Sequence, residues 1–356
     1  MKIITVVGAR PQFIKAAVVS RILRQYAYEI LVHTGQHYDY NMSDVFFEEL
    51  DIPRPNFNLG IAGGSHGRMT GQMLIALEDV MIQETPDVVL VYGDTNSTLA
   101  AALSAAKLKI PIVHVEAGNR LGTLSNPEEL NRICTDHIST RLLACTESAL
   151  EFLRKENLGE RSAMVGDPMY DAFLYYGNKA ASNSIVDLLG RQFDIPDSYS
   201  YLTCHREENT DTIDKLDAIL RAADSLDMPI IYPVHPRNKS IVETIMNSGT
   251  LRNIVFTPPI GYLMSIQLVK GAKRIITDSG GVQREAFFAK VPCVTVFDYI
   301  VWPETMKGNW NQLAKPVVSD IITKLKTTPE DIPDYKPFGD GKSAYKITNE
   351  LLALGG

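Results

Sequence analysis

The sequence predicts an α/β protein made of two doubly wound parallel-sheet domains, and three observations carry that expectation. Short β-branched apolar runs recur along the chain, each followed by a longer stretch of helical periodicity, as in a parallel sheet covered by helices on both faces. The alternation completes one cycle, pauses at the polar patch "NKAASNS", and then restarts. At 356 residues with 45% hydrophobic content, the chain can build substantial cores in about two domains.

In the first half the expected strands are "KIITVVG", "EILVHTG", "DVVLVYG", "PIVHVEAG", "RLLACT" and "SAMVG". Between them lie the helical stretches "FIKAAVVSRILRQY", "DVFFEEL", "GRMTGQMLIALEDVMIQE", "TLAAALSAAKLK", "EELNRICTDHI" and "ALEFLRKEN". After "GDPMYDAFLYYG" the strands "YSYLTCH", "PIIYPVH", "NIVFTPP", "RIITDSG" and "PCVTVF" follow, again separated by helical or mixed segments. The expected boundaries are 1–167 and 168–340, each domain Rossmann-like. An amphipathic helix at about 341–354, behind the Pro-rich "TTPEDIPDYKPFGDG", is long enough to return to the first domain.

A formal net charge of -7 with no Lys/Arg-rich run argues against nucleic-acid binding, which needs cations to displace phosphate counterions. Cys134, Cys145, Cys204 and Cys293 form no C-x-x-C pair, so neither a zinc knuckle nor a disulfide framework is suggested. The opening apolar run is too short for a signal-peptide core, and no segment approaches the roughly 18 apolar residues of a membrane span. The expected compartment is the cytoplasm.

Ligands of open α/β sheets bind beyond the carboxyl ends of the strands. Polar residues directly after each strand therefore form the candidate site, lining an expected cleft between the domains. "GARPQFIK" brings Arg10 and Lys15 to the start of the first helix, without the G-x-G-x-x-G dinucleotide fingerprint. Two readings fit: a tight turn at Gly8 and Pro11 with solvated cations, or a cationic lip for an anionic ligand.

"VYGDTNST" sets Asp94 after an apolar strand, where an Asp or Ser helix cap would explain it locally. "HVEAGNR" repeats the arrangement with Glu116 one strand later, and capping explains less because no helix begins at once. Neighbouring strand-end carboxylates would push one pKa upward, which suits acid/base work. In "NPEELNR", Glu128 and Glu129 favour a helix N-terminus electrostatically, and Glu129 is expected to be the more solvated.

"CHREEN" puts His205 and Arg206 at the end of the second domain's first strand, and "YPVHPRN" puts His235 at the end of the next. His235 also fits a plain turn before Pro236; two histidines at corresponding strand ends are the stronger functional signal. "TDSGGVQREA" gives Asp278, Ser279, Gly280 and Gly281 before a helix, either a tight turn with a Ser cap or an anion-accepting start; Glu285, one turn in, is either a plain surface glutamate or the natural partner of a sugar hydroxyl. No H-x-x-H, Asp-rich loop or G-x-S-x-G elbow is present.

The ordered set "GARPQFIK", "YGDTNST", "HVEAGNR", "PEELNR", "CHREENTD", "YPVH" and "TDSGGVQREA" resembles the non-hydrolysing UDP-N-acetylglucosamine 2-epimerases, from the first strand to about residue 316. That resemblance implies the glycosyltransferase-B architecture, a homodimer, and inversion of C2 in a UDP-linked 2-acetamido sugar with neither NAD nor metal. It implies elimination of UDP to a 2-acetamidoglucal, then re-addition. By position Asp94, Glu116 and Glu128 match the family's catalytic carboxylates and His205 its functional histidine. Arg10, Lys15, Arg132, Ser279, Gly280, Gly281 and Glu285 match residues that hold nucleotide and sugar.

Three departures accompany the match. The family's "TERPE" is "IVWPE" here, so Trp302 replaces a phosphate-contacting arginine that Arg206 or Arg237 would have to offset. The loop after "VEAG" is shorter, and the usual "HRRE" is "HREE", with Glu207. UDP-sugars with a 3-acetamido or uronate group, and deoxysugars, therefore stand beside UDP-N-acetylglucosamine as expected substrates. "TGQHYDYNMSDVFFEEL" differs from the form in members activated by their own substrate, so that regulation is not carried over. A hydrolysing epimerase, a glycosyltransferase of the same architecture and a silent sugar-nucleotide sensor are the competing readings. No nucleic-acid or membrane partner is expected.

Overall fold

The computed structural model describes residues 1–36, 47, 49–179 and 181–355; the helix expected over "DVFFEEL" lies largely outside them. The chain divides into two compact units, Met1–Tyr175 with Lys336–Gly356, and Tyr176–Tyr335.

The first unit holds a seven-stranded sheet. Its strands are β1 (Lys2–Val7), β2 (Tyr28–His33), β3 (Phe57–Asn58), β4 (Val88–Tyr92), β5 (Ile112–Val115), β6 (Arg141–Ala144) and β7 (Ser162–Met164). All pairings are parallel, in the order β3-β2-β1-β4-β5-β6-β7. β4 reads "VVLVY" without polar alternation because every residue is 0% exposed, both faces being covered. The helices are α1 (Arg10–Leu23), α2 (His66–Glu84), α3 (Asn96–Lys107), α4 (Pro127–Ile138), α5 (Glu147–Lys155) and α6 (Pro168–Tyr176). Thr95, Asn126 and Thr146 cap α3, α4 and α5 by accepting a backbone N–H of the first turn.

The second unit repeats the plan. Its six-stranded parallel sheet takes the order β12-β11-β10-β13-β14-β15, and a two-stranded antiparallel ribbon, β8 (Ser184–Val186) with β9 (Gln192–Asp194), stands apart from it. The sheet strands are β10 (Ser200–Thr203), β11 (Ile230–Pro233), β12 (Ile254–Thr257), β13 (Arg274–Thr277), β14 (Cys293–Val296) and β15 (Asn311–Ala314). Helices α7 (Glu207–Thr210), α8 (Ile213–Asp224), α9 (Lys239–Asn247), α10 (Tyr262–Gly271), α11 (Gly280–Phe288) and α12 (Val318–Leu325) connect them. The core beneath α8 includes Leu202, Leu216, Leu220, Ile276 and Val294, each 2% exposed or less.

The last helix, α13 (Ser343–Leu352), belongs to the first unit and packs on α1. Its buried Ala344, Ile347, Thr348 and Leu351 recur at helical spacing, and Asp171 of α6 caps it by accepting from Ser343 N (3.1 Å) and Ala344 N (2.8 Å). β3, β15 and the β8–β9 ribbon were not expected from the sequence. They are short and of mixed polarity, so no apolar run announces them.

Both sheets place their topological switch where a site should form. In the first the order reverses between β1 and β4; in the second it reverses between β10 and β13.

Candidate active site

In the first unit the turns after β1, β4 and β5 meet at the switch point. Gly8 is required there by close approach: a Cβ would lie 2.1 Å from Ser97 Oγ and 2.4 Å from Thr34 Oγ1. Gln12, 2% exposed, locks the two turns together. Its Oε1 accepts from Gly8 N and Ala9 N, and its Nε2 donates to Tyr92 O, Thr95 Oγ1 and Thr98 Oγ1, all at 2.7–3.0 Å. Gln12 stands within "GARPQFIK" without a signature of its own; its only local signal is a Gln beside Pro11 at a helix start.

Asp94 is not the helix cap, because Thr95 fills that position. The Asp94 carboxylate instead pairs with Arg132 of α4, and Asn131 Nδ2 donates to Asp94 O (3.0 Å). Arg132 also pairs with Glu129. Burial works against the Arg132 charge, but Asp94 and Glu129 more than offset it and hold the guanidinium above its ordinary range.

The two α4 glutamates reverse the expectation. Glu129 is 1% exposed and accepts from Leu121 N (2.8 Å) and Gly122 N (3.2 Å), whereas Glu128 is exposed. Helix geometry explains the swap: Glu129, Arg132 and Asp136 share the inward face of α4, and Glu128 lies about 100° around from Glu129.

Lys15 is not a solvated lip residue. It is 3% exposed, and its Nζ lies 2.5 Å from Glu116 Oε2. Glu116 has φ 71, in the left-handed region, so its side chain leaves the strand line and turns to meet the ammonium. The Glu116 and Asp167 carboxylates and the Cys145 sulfur lie within 4.8 Å of one another. Lys15 already supplies a cation to Glu116, so the group is an ion-paired core rather than a ready metal cage. Arg10, the first residue of α1, is half-buried.

In the second unit Asp278 organises the switch point. It is 1% exposed and accepts from His205 N (2.9 Å), Arg206 N (2.9 Å) and Asn209 Nδ2 (3.4 Å), with His205 Nδ1 3.1 Å away. Burial alone would raise its carboxyl, yet His205 and the two amides bring it down to about 2. The His205 ring, with 42% of the side chain exposed, is thereby aimed outward, 5.8 Å from the His235 ring. His235 is also the turn residue anticipated as the plain alternative, since its Nδ1 accepts from Arg237 N (3.3 Å).

Ser279 caps α11 by accepting from Val282 N, so Gly280 and Gly281 are its first residues and their amides face out of the helix start. Glu285 is 3% exposed, not a surface residue. Trp302 is 2% exposed, and the Arg284 guanidinium lies 4.0 Å over its ring. Arg206 stacks 4.1 Å over Phe297 and donates to Tyr299 Oη (3.1 Å); Arg237 is largely exposed, 3.9 Å from Glu207.

Two Rossmann-like sheets, with ion-paired carboxylates after the strands of one and a glycine-opened helix start after a strand of the other, place the chain among enzymes of the glycosyltransferase-B fold. A family model described as UDP-N-acetylglucosamine 2-epimerase matches residues 22–352, and the chain belongs to that family of isomerases. It is 45% identical to a UDP-N-acetylglucosamine 2-epimerase homolog of Methanococcus maripaludis, over 99% of this chain and 100% of that one. It is 42% identical to the UDP-2,3-diacetamido-2,3-dideoxy-D-glucuronate 2-epimerase of Pseudomonas aeruginosa, with the same coverage. Among solved structures, Methanocaldococcus jannaschii UDP-GlcNAc 2-epimerase in complex with UDP-GlcNAc and UDP superposes with TM-score 0.89 at 39% identity, over 99% of this chain and 100% of that one. Among the described residues no helix is long and apolar enough to cross a membrane, and all four cysteines are free thiols.

Proposed function

We propose that this chain interconverts UDP-N-acetylglucosamine and UDP-N-acetylmannosamine without hydrolysis, by anti elimination of UDP to 2-acetamidoglucal and re-addition. The observation that carries the reading is the pairing of two strand-end carboxylates with buried cations, Asp94 with Arg132 and Glu116 with Lys15. C2–H is a poor acid, and its removal becomes feasible only as the anomeric C–O bond breaks and positive charge develops at C1. Preorganised carboxylates suit both tasks: one takes the proton and another faces the developing cation. Glu128 completes the set as the solvent-facing carboxylate of α4, and His205, aimed by Asp278, serves the departing diphosphate.

Arg10, Arg206, His235, Ser279 and the Gly280–Gly281 amides hold UDP while it is detached, with Glu285 and Arg132 on hydroxyls and sugar. Lys15 acts through Glu116, which it orients. No cofactor enters the scheme. The enzyme works in the cytoplasm as a homodimer, supplying a precursor for cell-surface polysaccharide.

Incubation with UDP-N-acetylglucosamine in D2O, followed by proton NMR, tests the reading. Deuterium at C2 with a UDP-N-acetylmannosamine signal is the expected result, and free sugar would mean hydrolysis. No change would overturn the substrate. The Pseudomonas aeruginosa relative supports a second reading, a UDP-2,3-diacetamido uronate, and that sugar is the next to be offered.

A further inference from the structure

Two left-handed turns carry the carboxylates assigned to the chemistry. Gly93, with φ 63, precedes Asp94, and Glu116 itself has φ 71. One buried group that has no role in the scheme above grips both turns from behind. His114 lies on β5, 0% exposed, with Nε2 2.7 Å from Gly93 O and Nδ1 2.7 Å from Asp136 Oδ1. Asp136 Oδ2 in turn accepts from Gly118 N (3.0 Å), two residues beyond Glu116, and from Arg120 Nη1 (2.7 Å).

Counting hydrogens settles the form of the ring. A carbonyl oxygen can only accept, so Nε2 carries a hydrogen. Asp136 already accepts from Gly118 N and Arg120 Nη1 on its other oxygen and lies against the Arg120 guanidinium, so it too is an acceptor. Nδ1 must therefore also carry a hydrogen, because a bare lone pair at 2.7 Å from a carboxylate would repel it. The groups facing this ring are Asp136 from α4, the Gly93 carbonyl from the end of β4, and Arg120 from the loop after β5. Arg120 is paired on its far side with Glu156, the residue that follows α5 (2.6 Å). Two cations and two carboxylates thus balance within one buried network.

We propose that His114 is a positioning residue for the epimerisation, acting as a doubly protonated ring strung between Gly93 and Asp136. It fixes the two turns that aim Asp94 and Glu116, and in this sense it rests on the function proposed above. A neutral ring keeps only one of its two bonds. Release of the other leaves Asp136 held only through Oδ2, loosens the carboxylate that anchors the Gly118 turn and lets Glu116 drift from its reacting position.

The test has one arm that needs no substrate. The full-length protein, labelled with 15N-histidine, is examined by NMR at neutral pH, and the His114 signal is assigned by its loss in His114→Gln. Two N–H couplings on one ring are expected; a single N–H, the neutral tautomer, overturns the proposal whether or not the enzyme turns over UDP-N-acetylglucosamine. In the second arm Asp136→Asn reduces the ring to one N–H. It lowers kcat by at least about tenfold, because small misplacements of catalytic groups cost that much, while KM stays within about threefold. Loss of the second N–H with kcat unchanged would also overturn it. If Asp136→Asn does not fold, the wild-type spectrum still decides. A wild-type protein inert toward UDP-N-acetylglucosamine overturns the function and leaves the spectral arm standing.

Discussion

Glu116 adopts φ 71 without being glycine, a conformation that costs about 1–2 kcal/mol. The Lys15 pairing over-determines it, and that combination is typical where strain serves a site. Asp94→Asn and Glu116→Gln are expected to lower kcat by about 10²–10⁴-fold with the fold retained by circular dichroism; near-normal rates would refute their roles. Glu128→Gln and Glu129→Gln should separate cleanly. The first affects turnover and leaves stability alone. The second strips a buried partner from Arg132 and costs about 3 kcal/mol in urea denaturation. Asp278 titrates at about 2 against an ordinary 3.8. Its pKa is depressed in the folded state, so it contributes stability above the unfolded value that disappears as pH falls through the folded one. That contribution is about 2 kcal/mol. Asp278→Asn should flatten the stability curve between about pH 4 and about pH 2, and an unchanged curve would count against the network around His205.

α4 departs most sharply from the usual rule for a helix against a sheet. Its buried positions are Glu129, Asn131, Arg132, Thr135 and Asp136, while Leu130 is 45% exposed. Periodicity placed the helix within "EELNRICTDHI" because propensity and the Asn126–Pro127 start are local signals. It did not reveal which face turns inward, since apolar patterning points the wrong way where the contacts are ionic. That is why Glu128 and Glu129 exchanged places between expectation and structure, and why Gln12, His114 and Asp136 were passed over. The buried apolar strands were legible because burial on both faces leaves an unbroken run, as in β4. β3 and β15, at the sheet edges, lacked one. Gly118 shows how closely the next layer is fitted: its φ is 87, and a Cβ would come 2.4 Å from Ala149 O on α5. Gly118→Ala is therefore expected to cost at least about 2 kcal/mol by thermal or urea denaturation, and a neutral substitution would show that α5 can move aside.

At the scale of the whole chain, the restart of the strand–helix alternation announced two sheets. The expected boundary, 167/168, lies near the start of "GDPMYDAFLYYG", ahead of the polar patch; the compact division falls at Tyr175/Tyr176, near the end of α6, and leaves Asp171, the cap of α13, in the first unit. Truncation after Tyr335 removes α13, with its buried Ile347 and Leu351, and leaves Asp171 without the two amides it accepts. Such a protein should unfold in two steps, the first unit melting earlier than in the full chain and residues 176–335 unchanged; a single unshifted transition would contradict the division. Gln12 gives the first unit one further property. It joins the β1 and β4 turns through a neutral carboxamide, whereas Lys15, Arg132 and Asp136 hold the neighbouring turns by charge. Acid strong enough to protonate the carboxylates loosens the charged joints and leaves the neutral one intact. On acidification the reacting groups are therefore expected to come loose before the scaffold, and on neutralisation to return to a β1–β4 frame still in register.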